Sequence, residues 1–162
     1  MLIEPRSVQQ VATLPFVPLE GAVSVLLVSS RRRQRWIVPK GWPVKRLSLP
    51  EAAANEAAEE AGIVGVVHPE PVGSYLYRKQ MDAGYEVPCH VFVYPILVLQ
   101  HSLGWPERGE RMLKWCSLEK AAKLVDDEQL GELLAELAES GGAPLQSVVT
   151  KVTRTAAVSE VV

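Results

Sequence analysis

The sequence predicts an α/β fold, and three observations carry that expectation. Short Val- and Leu-rich runs alternate with Pro- and Gly-marked turns through the first forty residues. One well-bounded helix follows, and further strands and helices succeed it in a chain whose length suits a single domain. Hydrophobic residues make up 48% and charged residues 22% of the 162, the balance of a globular chain that needs no disulfide staple.

Residues 8–18 and 22–29 read as two strands separated by Pro18 and Gly21. Trp36-Ile37-Val38 reads as a third, stopped by Pro39, and residues 40–47 read as a loop broken by Gly41 and Pro43. A helix is expected over about 49–61. Ser48 and Glu51 fit a capping box, Pro50 is tolerated in the first turn, six alanines supply propensity and Gly62 suits a left-handed cap. Residues 63–78 and 85–99 read as strands joined at Asp82-Ala83-Gly84, and 111–116 as another. Ser117 opens a short helix, and residues 127–139 carry Leu130, Leu133, Leu134 and Leu137 at helical spacing. That stripe reads as core, with a homodimer contact as its alternative use. The domain is assigned to 1–139, and 140–162 is expected as a flexible tail or an added strand.

Seventeen basic against nineteen acidic residues give a net charge of −2, so no global field draws DNA or an anionic membrane. The longest apolar run, nine residues from Val91 to Leu99, is far short of the roughly 20 that a spanning helix needs. Cys89 and Cys116 form no metal-like or redox pair, and the three histidines have no ligand spacing. A cytoplasmic location is the resulting expectation.

The helix carries Glu56, Glu59 and Glu60 at i, i+3 and i+4, which places three carboxylates on one face. They sit toward its C-terminal end, where the dipole disfavours anions, and no Lys or Arg lies between Arg46 and Arg78. A solvated face is one reading. A hard divalent cation such as Mg²⁺ or Mn²⁺, which prefers oxygen ligands, is the other.

Residues 41–63, GWPVKRLSLPEAAANEAAEEAGI, resemble the signature of the Nudix hydrolases, G-x5-E-x7-R-E-U-x-E-E-x-G-U, where U is aliphatic. Gly41, Glu56, Glu59, Glu60, Gly62 and Ile63 occupy signature positions. VLLVSSRRRQRWIVPKG before the signature and RMLKWCSLEKA after it are similar to the diphosphoinositol polyphosphate and diadenosine polyphosphate hydrolase branch. Two positions depart: Leu47 stands where a glutamate is usual, and Asn55 where an arginine normally helps to orient the metal-binding glutamates.

The resemblance implies an α/β/α sandwich with a mixed β-sheet, and hydrolysis of a diphosphate linkage by water with one to three divalent ions. It implies Glu56, Glu59 and Glu60 as Mg²⁺ or Mn²⁺ ligands, with Glu59 or Glu60 doubling as the base. Glu107 or Glu110 is a second candidate base or an ordinary solvated charge. The partner expected is a phosphorylated small molecule of the diphosphoinositol polyphosphate or dinucleoside polyphosphate type. Nucleoside triphosphate or RNA 5′-end pyrophosphate hydrolysis is an alternative, as is a non-catalytic metabolite-binding module.

Arg31, Arg32, Arg33, Arg35, Lys40, Lys45 and Arg46 place seven positive charges within sixteen residues, and guanidinium groups suit bidentate phosphate contacts. Lys40, Gly41, Arg35, Arg33 and Trp42 are the substrate-binding candidates. Arg111 and Lys114 are weaker ones.

Overall fold

The computed structural model describes residues 8–31 and 34–161, with side chains through Thr155. An eight-stranded mixed sheet lies between helices on both faces, the expected sandwich. Strand β1 (Val8–Leu19) and strand β2 (Ala22–Ser29) form a hairpin through Gly21, whose φ of 71° needs the freedom of glycine. Strand β3 (Trp36–Ile37) pairs with the end of β2.

Lys40–Gly41, expected within a loop, forms a two-residue strand β4 that pairs with Val11 and Ala12 of β1. Pro39 and Pro43 bracket it, which hides so short a strand from any periodicity. Helix α1 (Leu49–Ala61) then forms as expected, with both capping-box bonds at Ser48 and a left-handed cap at Gly62.

The segment expected as one strand over 63–78 is two. Strand β5 (Ile63–Val67) and strand β6 (Gly73–Gln80) both pair with β7 (Glu86–His101), and Pro69 and Pro71 separate them. Strand β8 (Leu113–Ser117) returns to pair with β2. Central β1 runs parallel to β7, from Val8 against Cys89 to Phe16 against Leu97, while the other pairings are antiparallel. Such a strand is covered on both faces, and residues 10–16 of β1 are all buried.

Alternation along β1 divides the core. Val11 faces α1, where buried Ala52, Ala53, Ala57 and Ala61 let the helix lie close to the sheet. Ala12, Leu14 and Phe16 face the other layer: helices α2 (Leu118–Leu124), α3 (Glu128–Glu139) and α4 (Ala143–Val161). Leu130, Leu134 and Leu137 of the leucine stripe are buried there, so the stripe serves this core rather than a homodimer contact.

Within the stretch expected as a tail or an added strand, residues 143–161 form α4, and Leu145 and Val148 pack into the main core. Leu145, Val148, Val149 and Val152 repeat at helical spacing, and this burial overrides the weak helix propensity of Val and Thr. Thr150, Thr153 and Thr155 satisfy their hydroxyls on the carbonyls one turn back. Among the described residues, no helix is long and apolar enough to cross a membrane.

Candidate active site

Helix α1 carries its three glutamates on the side of the sheet that holds Gly41 of strand β4, and each meets a different environment. Glu59 is exposed, Glu56 is half-buried and Glu60 is only 4% exposed. Gly41 lies directly beneath Glu56. A Cβ at position 41 would fall 2.2 Å from Glu56 Oε1 and 2.3 Å from its Cδ, so the carboxylate occupies space that only glycine leaves open.

Glu60 has one oxygen engaged and one free. Its Oε1 lies 3.4 Å from Arg111 Nη2, whereas Oε2 is buried without a hydrogen-bond partner. Burial pushes the Glu60 carboxyl up to about 8 against the opposing pull of Arg111, with Glu56 and Glu107 adding to the rise. Burial, then Glu59 and Glu107, push Glu56 up to about 7.

Among the described residues, no three His, Cys, Asp or Glu side chains converge as a ready-made cage. The donor chemistry nonetheless fits a hard divalent cation. A buried carboxylate oxygen lacks a partner, and two carboxyls are held far from their ordinary ionisation by burial and mutual repulsion. A cation relieves each of these.

The loop between β7 and β8 completes this side of the site. The Glu107 N–H donates to the Glu59 carbonyl at 3.0 Å, and the Ser102 N–H to that of Gly62 at 2.8 Å, so the last carbonyls of α1 are capped in trans. Glu107 is no solvated loop charge. Its side chain is 14% exposed, and its Oε1 accepts from Arg31 at 2.6 Å and from Arg111 at 3.1 Å. Two guanidinium groups thus share one oxygen of Glu107. Glu110 lies 3.8 Å from Arg31 and is half exposed.

The substrate-binding candidates divide by position. Strand alternation puts Gly41, opposite Val11, on the α1 face and Lys40, opposite Ala12, on the other face. Strand β4 therefore spans both layers. Lys40 Nζ sits 5.0 Å from the centre of the Tyr77 ring, and burial lowers its pKa against the attraction of Asp127 and Glu60. Trp42 is exposed, with Lys79 Nζ 5.4 Å from its ring.

Arg35 is engaged with Asp126 at 3.4 Å rather than with the carboxylates of α1. Arg33 lies outside the described residues. Leu47 packs with Val11, Ala52, Ala53 and Tyr94, and Asn55 is exposed. Two surface grooves, of about 760 and 590 Å³, lie between α2 and α3 and between β5 and α4, and neither is lined by Glu56, Glu59 or Glu60.

The residue that sequence reasoning undervalued is Arg111. Its role as charge partner of Glu60 carries no signal in local spacing, because the two are 51 positions apart and are brought together by the β2–β8 pairing and by the bond of the Glu107 N–H to the Glu59 carbonyl.

Residues 9–137 match the family profile of the NUDIX domain. Among curated proteins, the chain is 29% identical over 141 residues to "Nudix hydrolase 13, mitochondrial" of Arabidopsis thaliana, covering 82% of this chain and 70% of that protein. It is 34% identical over 116 residues to "Nudix hydrolase 21, chloroplastic" of the same plant, covering 70% and 56%. The chain thus spans only part of the length of these relatives. Among solved structures, a Caenorhabditis elegans Ap4A hydrolase binary complex aligns with a TM-score of 0.61 at 23% identity, over 82% of this chain and 96% of that one. The NUDIX domain of Shewanella oneidensis NrtR, complexed with ADP ribose, aligns with a TM-score of 0.57 at 18% identity, covering 81% and 88%. At these identities the structural likeness establishes the fold.

Proposed function

The chain belongs to the NUDIX family, and we propose that it is a hydrolase that cleaves a diphosphate linkage in a highly phosphorylated small molecule. The substrate class is a diphosphoinositol polyphosphate or a dinucleoside polyphosphate, with Mg²⁺ or Mn²⁺ held by Glu56, Glu59 and Glu60. One observation carries this reading: the Glu56 carboxylate lies directly against Gly41, and one turn further along the same helix a buried oxygen of Glu60 is left without a partner. The seven basic residues within 31–46 of the sequence support a substrate with many phosphates.

A bound divalent ion supplies charge neutralisation of the phosphate oxygens and lowers the pKa of a coordinated water. The protein's residues do the positioning. Glu56 contributes a half-buried carboxylate and Glu60 a buried one from the α1 face, and Arg111 fixes Glu60 through Oε1. Glu59 is the carboxylate that solvent reaches, which makes it the better placed of the two base candidates to take a proton from water. Lys40 brings positive charge to the phosphates from the other face of β4.

The test is phosphate release from a panel of diphosphate substrates with Mg²⁺, with Mn²⁺ and with chelator, using Glu59→Gln as the control. Turnover that needs the metal and collapses in the variant is expected. A folded protein that binds a panel member yet returns it unchanged refutes the hydrolase reading and leaves a binding module.

A further inference from the structure

Helix α1 has no positive side chain of its own, although it carries Glu51, Glu56, Glu59 and Glu60. Asn55 is exposed and brings no charge. The positive charge comes from outside the helix, through a guanidinium held on three sides. Arg111 Nη1 donates to the Ser29 carbonyl at 3.0 Å, Nε donates to Glu107 Oε1 at 3.1 Å, and Nη2 faces Glu60 Oε1 at 3.4 Å.

The Arg111 side chain is only 11% exposed. Its partner Glu107 is itself fixed by Arg31 and by its backbone bond to Glu59. The ends of β2, α1 and the β7–β8 loop are thereby tied to one planar group, whose fork a lysine cannot reproduce.

We propose that Arg111 is a positioning residue that holds Glu60 by Oε1 and so leaves Oε2 as the oxygen presented to the site. The orphaned state of Oε2 is the observation that gives this arrangement its direction: one oxygen is taken, the other is buried and open. Remove the guanidinium, and Glu107 keeps Arg31 while buried Glu60 loses its cation beside a second carboxylate, so the Glu60 carboxylate turns away. The inference rests on the reading of Glu60 as a metal ligand.

A Mn²⁺-binding cycle tests it, read by electron paramagnetic resonance of the free ion, on the wild type, Arg111→Met, Arg111→Lys, Glu60→Gln and the Arg111→Met/Glu60→Gln double variant. Arg111→Met is expected to weaken Mn²⁺ binding by about 10–100-fold, the range typical of groups that orient a ligand. Arg111→Lys restores part of it through charge alone. In the Glu60→Gln background, losing Arg111 changes affinity less than about twofold, because its effect runs through Glu60. Turnover follows the same order, with kcat falling and KM nearly unchanged.

Wild-type affinity in Arg111→Met, or in Arg111→Lys should the methionine variant fail to fold, overturns the proposal. So does an equal loss in both backgrounds, which marks a merely structural role. A wild type that binds Mn²⁺ but hydrolyses nothing overturns the hydrolase reading while the cycle still decides the role of Arg111. A wild type that binds no Mn²⁺ overturns both.

Discussion

The seat of Glu56 over Gly41 separates site geometry from stability, and Gly41→Ala exposes the difference. The new methyl would lie 2.2 Å from Oε1, 2.3 Å from Cδ and 2.8 Å from Cγ of Glu56. Ordinary contact begins near 3.4 Å, so Oε1 has to retreat by at least about 1.2 Å (3.4 less 2.2). The obstacle is the end of a flexible side chain rather than backbone, and Gly41 has no positive φ, so the fold has no reason to yield. Moving Glu56 off its rotamer costs about 0.5–1.5 kcal/mol, and replacing glycine by alanine at a compatible backbone returns about 0.4–1 kcal/mol.

The net change in stability is within about 1 kcal/mol, a Tm shift below about 4 °C for a domain of this size. Turnover is another matter, since a displacement of about 1 Å at a reacting centre costs on the order of 10²-fold. Thermal melts in chelator and kcat with Mg²⁺ measure the two quantities. Gly104→Ala serves as the control, because a Cβ there meets nothing within 4 Å. Wild-type turnover in Gly41→Ala refutes the claim that this seat is required. A Tm loss above about 10 °C shows that the clash spreads beyond one side chain.

Three further outcomes follow from the packing and charge of the site. In chelator, the unfolded chain ionises Glu56 and Glu60 near 4.5, while the folded protein keeps their protons to about 7 and about 8. Stability therefore falls as pH rises from about 4.5 to about 8 and then levels, on the order of a few kcal/mol, mostly from the buried Glu60. Urea midpoints at pH 5, 7 and 9 read the slope, which Glu60→Gln flattens. Leu145→Ala, at a fully buried position of α4, destabilises by about 2–5 kcal/mol in urea melts, as expected if α4 is integral to the core. Leu47→Glu places an unpaired carboxylate among Val11, Ala52, Ala53 and Tyr94 and costs about 1–3 kcal/mol, whereas exposed Asn55→Arg stays within about 0.5 kcal/mol. The same melts check both.

Local signals made α1 legible residue by residue. Its cap, its glycine stop and its carboxylate face are all encoded within fifteen positions, from Ser48 to Gly62. The β1–β2 and β6–β7 hairpins were legible for the same reason, through Gly21 and Asp82-Ala83-Gly84. What escaped is set by distant partners. Lys40–Gly41 becomes a strand only because β1 offers an edge beside it. Helix α4 is written in valines and threonines that prefer strands, and the buried face at Leu145 and Val148 decides otherwise. Electrostatics followed the same rule. The three glutamates were visible together, but the charges that balance them, Arg111 directly and Arg31 through Glu107, arrive from other parts of the chain.

The capped end of α1 bears on how this chain can change. Gly62 has a φ of 69°, and a Cβ there would lie 2.4 Å from the Trp105 ring, while the backbone of Ser102 and Glu107 holds the final helical carbonyls. Helix and loop form one casting. Lengthening or shortening the stretch between Ser102 and Arg111 moves the glutamates with it, so new specificities are not to be sought by grafting there. The tip of the β6–β7 hairpin, exposed over residues 82–86 with open space around Gly84, imposes no such constraint. Strand β6 below it carries Lys79, whose Nζ lies 5.4 Å from the ring of Trp42. Changes at the tip leave α1 and its glutamates where they are.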